Sequence, residues 1–182
     1  LLARKGVTVG AHIAAIHGVE DTPFDPVSVD AETLRAVSAK PFPVLDDQAG
    51  GRMKAEIEAA RRRLDSVGGI VECAVSGLPA GLGEPLCESL ESRISSAVFS
   101  IPAVKGIEFG AGFSASAMTG SEHNDPFVMK AGRVATETNR HGGILGGIST
   151  GMPLLFRAAF KPTPSIALEQ RTVSLSGECG AP

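Results

Sequence analysis

Apolar and polar positions change period several times along the chain, and each change marks an element. From Gly6 to Ile16 they alternate: Val7, Val9, Ala11 and Ile13 share one face, and Thr8, Gly10 and His12 the other. Period two predicts a strand, with the valine face inward. Glu20 to Ser28 holds Pro23 and Pro26 and reads as a loop. A short helix is expected over Asp30–Val37, then a proline-spaced connector from Lys40 to Asp47. Asp47–Ser66 carries the clearest helical period, with Met53, Ile57, Ala60 and Leu64 on one stripe. Asp47 is placed to cap it and Gly68-Gly69 to end the turn after it.

Gly69–Gly77 alternates again, with Val71, Cys73 and Val75 expected inward. Glu84-Pro85 opens a second helix with the buried stripe Leu86, Leu90, Ile94 and Val98. Val104–Phe109 is a third strand. Phe127–Lys130 and Arg133–Thr138 suit a hairpin around Ala131-Gly132. Leu154, Phe156, Ala158 and Phe160 alternate with Leu155, Arg157 and Ala159 in a further strand. No internal repeat or linker interrupts this order, and strands mixed with a few helices predict an α+β sandwich in one domain over 1–182.

Composition narrows the functional classes. The 182 residues include 22 glycines and 12 prolines, so the backbone turns sharply or approaches something closely at many points. Trp and Tyr are absent and the net charge is −3, which argues against a stacking platform or a fold-wide basic surface for nucleic acid. No apolar run is long enough to span a membrane, and Arg4-Lys5 come shortly after Leu1-Leu2, so no signal peptide is visible. Three cysteines, Cys73, Cys87 and Cys179, lack metal-type spacing and read as free thiols in a reducing cytosol. The chain opens without Met, on residues that resemble the last turn of a helix, and it ends on Gly180-Ala181-Pro182; a fragment is expected.

Candidate chemistry lies in three segments poor in core residues. Gly110–Asp125 and Asn139–Met152 are long, glycine-rich loops, the kind that carries function in a compact domain. Lys161–Ser165, KPTPS, sets one ammonium and two hydroxyls on a proline-stiffened strip that suits a phosphate, although a plain stiffened connection fits it too. Gly147–Gly151 matches the G-x-S-x-G elbow of serine hydrolases, but Pro153 to Phe160 alternates like a strand and no histidine comes after His141. Glu122, His123 and Asp125 lie near His141 in loop-like sequence without metal-motif spacing, and a hydrogen-bonded polar loop accounts for them. Arg61-Arg62-Arg63 points three ways on a helix and reads as a solvated face; His12 reads as a surface or hydrogen-bonded histidine.

Taken together, SVGGIVECAVSGLPAGLGEP (66–85), SIPAVKGIEFGAGF (100–113), GSEHND (120–125), NRHGGILGGISTGMPLLFRAAFKPTPSI (139–166) and FPVLD (42–46) closely resemble the chorismate synthase family. The resemblance runs from about Gly6 to about Ser176. It implies a β-α-β sandwich, with helices packed between antiparallel sheets, usually assembled as a homotetramer in the cytoplasm. It implies a lyase of the shikimate pathway, in aromatic amino acid biosynthesis. The reaction it implies is anti-1,4 elimination of phosphate from 5-enolpyruvylshikimate 3-phosphate to chorismate, with reduced FMN required and no net redox change; NADP is a further term the resemblance brings, and the source of the reduced FMN is left open. Neither a nucleic acid nor a membrane partner is implied.

Carried over residue by residue, the resemblance assigns flavin contacts to Lys161, Pro162, Thr163, Pro164 and Ser165, to Gly146, and to Pro102 and Ala103. Many members have Asn or Gln where Pro102 stands, so only packing or the backbone carbonyl can serve there. The family's GESHG histidine and GRxSARE segment normally lie upstream of the sequence matching Leu1, and its RHDP segment normally lies beyond the point where this chain stops. None occurs here, and His12, His17, His123 and His141 fall outside the motifs of the general-acid histidines. No catalytic residue and no metal ligand is therefore assigned. The expectation is an incomplete core lacking both end segments, inactive alone; the alternative is a partial flavin-binding module without catalysis.

Overall fold

The computed structural model describes residues 1–173, 175–177 and the backbone of 179–180. Its centre is one five-stranded antiparallel sheet. The strands are β1 (Thr8–Ile16), β2 (Val19–Glu20), β3 (Gly69–Ser76), β4 (Val104–Phe109) and, last to enter, Leu154–Phe160. Between β4 and that last strand come two small hairpins, β5 (Phe127–Lys130) with β6 (Arg133–Thr136), and β7 (Ile144–Leu145) with β8 (Ile148–Ser149); Leu154–Phe160 is therefore β9. The sheet order is β2-β1-β3-β9-β4. Helices α1 (Ala31–Ser38), α2 (Asp47–Arg62) and α3 (Leu90–Phe99) pack around it. A separate pair, β10 (Thr172–Val173) with β11 (Cys179–Gly180), lies near the C-terminus.

The turns follow from backbone chemistry. His17 (φ 48°) and Gly18 (φ 81°) form the two-residue turn from β1 to β2, and Ala131 (φ 50°) with Gly132 (φ 75°) turns β5 into β6. Two consecutive positive φ values match the twist of flanking strands, which is why such turns favour glycine. Asp30 caps α1 by accepting from Thr33 N–H.

Register reverses one expectation. Ile13 pairs with Val71, Ala11 with Cys73 and Val9 with Val75; Val71 and Cys73 pair in turn with Ala158 and Phe156. The apolar positions thus share one face, as the alternation predicts, but it is the less covered one: Val9 is 50% exposed, and Ile13, Val71, Cys73, Val75 and Phe156 are half-buried. α2 approaches one end of this face, where Ile57 and Ala60 border an apolar hollow of about 510 Å³ with Ile13, Val71 and Phe160. The opposite face, read from sequence as the polar one, is the buried one. It carries Gly10, His12, Glu72 and Ala74 under α1 and the 21–29 loop. Phe24, Val29, Leu34, Val37, Ala74 and Leu155 form its core cluster. A Cβ on Gly10 would stand 2.7 Å from Leu34 Cβ, so glycine lets α1 seat directly on β1.

Three smaller expectations are corrected. Asp46, not Asp47, caps α2, accepting from Gln48 N–H. α2 ends at Arg63 because Leu64 turns left-handed (φ 61°) well before Gly68, so Leu64 leaves the stripe and is 56% exposed. α3 begins at Leu90, capped by Ser89, and not at Glu84-Pro85; Leu86 sits in a separate short turn, 87% exposed, and no residue of α3 is fully buried.

Candidate functional site

Lys161–Ser165 leaves the end of β9, and every residue of it is exposed. Its backbone is stitched down while its side chains are left over. Lys161 N–H donates to Ala103 O at 2.9 Å, and Ser66 Oγ donates to Thr163 O at 2.6 Å. Gly68 passes so close beneath that a Cβ there would lie 2.6 Å from Phe160 O and 3.1 Å from Pro162 Cδ. Among the described residues, the Lys161 ammonium has no ion-pair partner, and the hydroxyls of Thr163 and Ser165 have no hydrogen-bond partner.

Pro102 and Ala103 sit beside this strip, since Ala103 supplies the carbonyl that Lys161 uses. Ala103 has φ 72°, a left-handed conformation that costs a non-glycine residue free energy and concentrates where geometry is functionally constrained. Gly146 lies elsewhere, at the exposed tip of the β7–β8 hairpin with φ 59°. Its neighbour Gly147 anchors that tip to the start of α3: Gly147 O accepts from Leu90 N–H at 3.0 Å, and a Cβ on Gly147 would meet Glu84 O at 2.6 Å. α3 then runs to the Pro102–Ala103 turn. Ten residues of helix span about 15 Å. The eight candidate positions therefore form two clusters at the two ends of α3, seven residues at one and Gly146 at the other. An elongated ligand lying along the helix could reach both; a compact one could not.

The glycine loop is braced by Asp125, which the sequence places in a hydrogen-bonded polar loop, and by Asn139, to which it assigns no role. Asp125, 8% exposed, accepts from Thr138 Oγ1 at 2.6 Å and from the N–H groups of Arg140 and His141 at 2.8 and 3.0 Å. Burial pushes its carboxyl up, but these hydrogen bonds together outweigh it and hold the group below the usual carboxylate range. Asn139 Nδ2 donates to Pro26 O and Pro153 O while its Oδ1 accepts from Gly143 N–H, all at 2.8 Å. The signal available in sequence was the polar cluster GSEHND itself.

A second unforeseen network sits under the sheet. His12, 1% exposed, points Nδ1 at Asp21 and Nε2 at Glu72, each at 2.8 Å. Asp21 also accepts from Leu45 and Asp46 N–H, and Glu72 from Phe24 N–H. Both ring nitrogens of His12 thus have a carboxylate partner. His12 is hydrogen-bonded as expected, though deeply buried; the signal was Glu72, one charge in the apolar strand VECAV.

The hydrolase and metal alternatives find no support. Ser149 is 4% exposed, donates to Pro79 O, accepts from Leu82 N–H, and leads into β9 rather than a helix. Glu122 completes a capping box with Thr119, and the His123 and His141 rings meet edge to face at 4.6 Å. Among the described residues no cluster of His, Cys, Asp or Glu could hold a metal, and no helix is long and apolar enough to cross a membrane.

With this geometry in hand, comparison with known proteins settles the family. The family model described as chorismate synthase matches residues 1–181. The chain belongs to the chorismate synthase family. It is 54% identical over 175 residues to a chorismate synthase of Thermococcus gammatolerans, covering 96% of this chain and 47% of the relative. It is 49% identical over 176 residues to that of Pyrococcus abyssi and 47% identical over 176 residues to that of Methanosarcina acetivorans, again covering 47% of each. A crystal structure of a chorismate synthase superposes with a TM-score of 0.78 at 27% identity, covering 88% of this chain and 51% of that one. The mixed helix and antiparallel-sheet architecture is thus that of the chorismate synthase family. The chain spans about half the length of the curated relatives it matches.

Proposed function

We propose that the complete protein is a chorismate synthase, and that this chain supplies the part of its flavin site built from Lys161–Ser165, Pro102–Ala103 and Gly146. The observation that carries the reading is the exposed strip at the end of β9. A cation and two hydroxyls stand there without partners among the described residues, on a backbone fixed by Ala103 and Ser66. Unspent donors on a stiff backbone fit the phosphate of FMN, because little backbone freedom is lost on binding. At Pro102, which lacks an amide side chain, the site offers the pyrrolidine ring and a carbonyl. Gly146, at the far end of α3, fits close approach of a ligand, since nothing lies within 4 Å of where its Cβ would be.

Lys161–Ser165, Pro102–Ala103 and Gly146 would hold the reduced FMN, which would supply electron density for loss of phosphate and a ring proton from 5-enolpyruvylshikimate 3-phosphate. The residues of this chain hold and orient. Lys161 places a positive charge at one end of the site, the two prolines keep Thr163 and Ser165 in fixed relation to it, and the Ala103 carbonyl fixes the Lys161 backbone. Neither histidine of the first strand region is placed to donate a proton in this step: His12 is sealed between carboxylates and His17 pairs with Glu56 at the surface. General acids, and with them turnover, belong to the remaining half of the protein. The homotetramer and cytoplasmic location implied by the family, and the extent of the domain beyond this chain, are part of the same proposal.

The test is Lys161→Met in the full-length protein. A charge-assisted hydrogen bond is worth about 1.5–3 kcal/mol, so FMN affinity should fall by roughly 10- to 150-fold. Riboflavin, which lacks the phosphate, should be far less affected. Equal losses for both ligands would place Lys161 at the ring system, and unchanged FMN affinity would reduce KPTPS to a proline-stiffened connection.

A further inference from the structure

A cavity of mixed lining lies away from the KPTPS strip, at the opposite end of β9. It is about 370 Å³, within the range of small-molecule sites. One wall is apolar: Pro23, Phe24, Pro26, Val27 and Leu155. The rest carries charge of both signs: Glu72, Glu137, Arg140 and Arg157.

The cavity is braced on every side. Phe24 N–H donates to Glu72 Oε2 at 2.8 Å, and Asn139 Nδ2 holds Pro26 O at 2.8 Å, so the proline loop is pinned to both the sheet and the glycine loop. Ala111 N–H donates to Arg140 O at 2.7 Å and Gly110 N–H to Leu155 O at 3.1 Å. Gly110, at φ 54°, presses so closely on Arg140 O that no side chain fits there. The space is kept open by backbone hydrogen bonds rather than by chance packing.

The charges lining it are largely unspent. Among the described residues the Arg140 guanidinium and the Glu137 carboxylate have no ion-pair or hydrogen-bond partner. Glu72 uses Oε2 for both His12 and Phe24, leaving Oε1 without a partner. Arg157 holds Glu108 at 2.7 Å through one Nη and keeps further N–H donors, since a guanidinium carries five. Unpaired charges of opposite sign beside an apolar wall are complementary to a molecule with both charges and an apolar body.

We propose that this cavity binds a small zwitterion, a free α-amino acid with an aliphatic or aromatic side chain. Its carboxylate meets Arg140 and Arg157, its ammonium meets Glu137 and the free oxygen of Glu72, and its side chain lies against Phe24, Val27 and Leu155. The site is distinct from the flavin site of the proposed function and needs neither FMN nor substrate, so the two readings stand or fall separately.

Binding is measured by calorimetry on the full-length protein with L-phenylalanine and L-leucine as probes. Two phenylalanine analogues accompany them: 3-phenylpropanoate, which lacks the amine, and 2-phenylethylamine, which lacks the carboxylate. At least one amino acid should bind saturably, and both analogues should bind about 10-fold or more weakly than phenylalanine if phenylalanine is the better ligand. Arg140→Gln should weaken the amino acid by about 10-fold or more and leave 2-phenylethylamine unchanged; Glu137→Gln should weaken the amino acid and spare 3-phenylpropanoate. Among the described residues neither side chain makes an ion pair or a hydrogen bond, and Arg140 has only a longer-range attraction to Glu122, so both variants should fold. Absence of saturable binding by both amino acids, or amino-acid affinity untouched by both substitutions, overturns the proposal.

Discussion

The two faces of the central sheet are built from the same strands and hold their cover in opposite ways. One face is apolar along its whole width, from Val9 through Cys73 to Phe156 and Phe109, and is unevenly covered: Leu154 and Ala158 are buried, Val9 is exposed, and Ile13, Val71, Cys73, Val75 and Phe156 are half-buried. The other carries a histidine and a glutamate in its middle and is buried by α1 and the 21–29 loop. Hydrophobicity says what a face would gain by burial; whether it is buried depends on which segments reach it. On the polar face the cost of burial is offset by pairing: each His12 nitrogen meets a carboxylate, and each of those carboxylates takes backbone N–H bonds as well.

If pairing stabilises the polar face, breaking it should produce the largest effect in the molecule. His12→Ala leaves Asp21 and Glu72 buried without the imidazole that bonds both and is expected to destabilise the full-length protein by about 3–5 kcal/mol, read from urea unfolding. Val9→Ala, on the half-covered face, should cost under about 1 kcal/mol in this chain alone. A comparable loss for both would erase the distinction between the faces.

Thiol chemistry sharpens it from the other side. Burial, and secondarily the charge of Glu72, push the Cys73 thiol up to about 11, whereas Cys87 is exposed. At pH 8 Cys73 should therefore label on the order of 100-fold more slowly than an ordinary exposed thiol, as quantified by peptide mass after timed alkylation. Cys73 reacting as fast as Cys87 would show the apolar face open to solvent. The side chain of Cys179 lies outside the described residues.

Gly10→Ala tests the contact of α1 with the polar face. The added methyl would stand 2.7 Å from Leu34 Cβ and 2.9 Å from Leu34 O, and overpacking of this kind costs about 1–3 kcal/mol. A variant as stable as the parent would mean that α1 is free to lift.

The smallest effect is expected at the edge of the comparison, in the loop that Asp125 holds. Its carboxyl lies below the usual range, so its contribution is fully present above the unfolded value near 3.8 and is lost as pH falls from there through the lower folded value. Asp125→Asn should cost roughly 1–2 kcal/mol at pH 7 and nothing at a pH below the folded value. Thermal unfolding across the range from about pH 2 to about pH 7 gives both numbers, and a pH-independent difference would remove the charge from the explanation.

Much of this was legible in the sequence. Period-two alternation located β1, β3 and β9, the Ala131-Gly132 turn signal located β5 and β6, and helical period located α2, because each rests on a local pattern; β4 and α1 also fall where the sequence places them. What failed depended on distant partners. The valine face of β1 looked inward because nothing in Gly6–Ile16 tells that Asp21 and Glu72 will meet His12. Leu86 looked like part of a stripe because Ser89, a better cap than its neighbours, could not be ranked above Pro85 by pattern alone. The positions of the proposed flavin strip came through resemblance; composition offered only a cation with two hydroxyls. That Gly146 stands a helix length away from the strip depends on packing of Gly147 against Leu90, which no local signal reports.

The place of β9 in the sheet has a consequence for how the chain comes to be folded. β1 and β3 are neighbours, but β3 and β4 touch only through β9, which is the last of the five to be synthesised. As the polypeptide leaves the ribosome, β4 has an unfilled slot beside it until β9, which ends at Phe160, emerges, and for that interval the edges of β3 and β4 are open to any other strand. Insertion of β9 closes the slot, and Lys161 takes the Ala103 carbonyl in the same event. The strip proposed to hold a phosphate is thus tied to the strand that joins β3 to β4, and a defect in placing β9 would reach the strip through the Ala103 carbonyl.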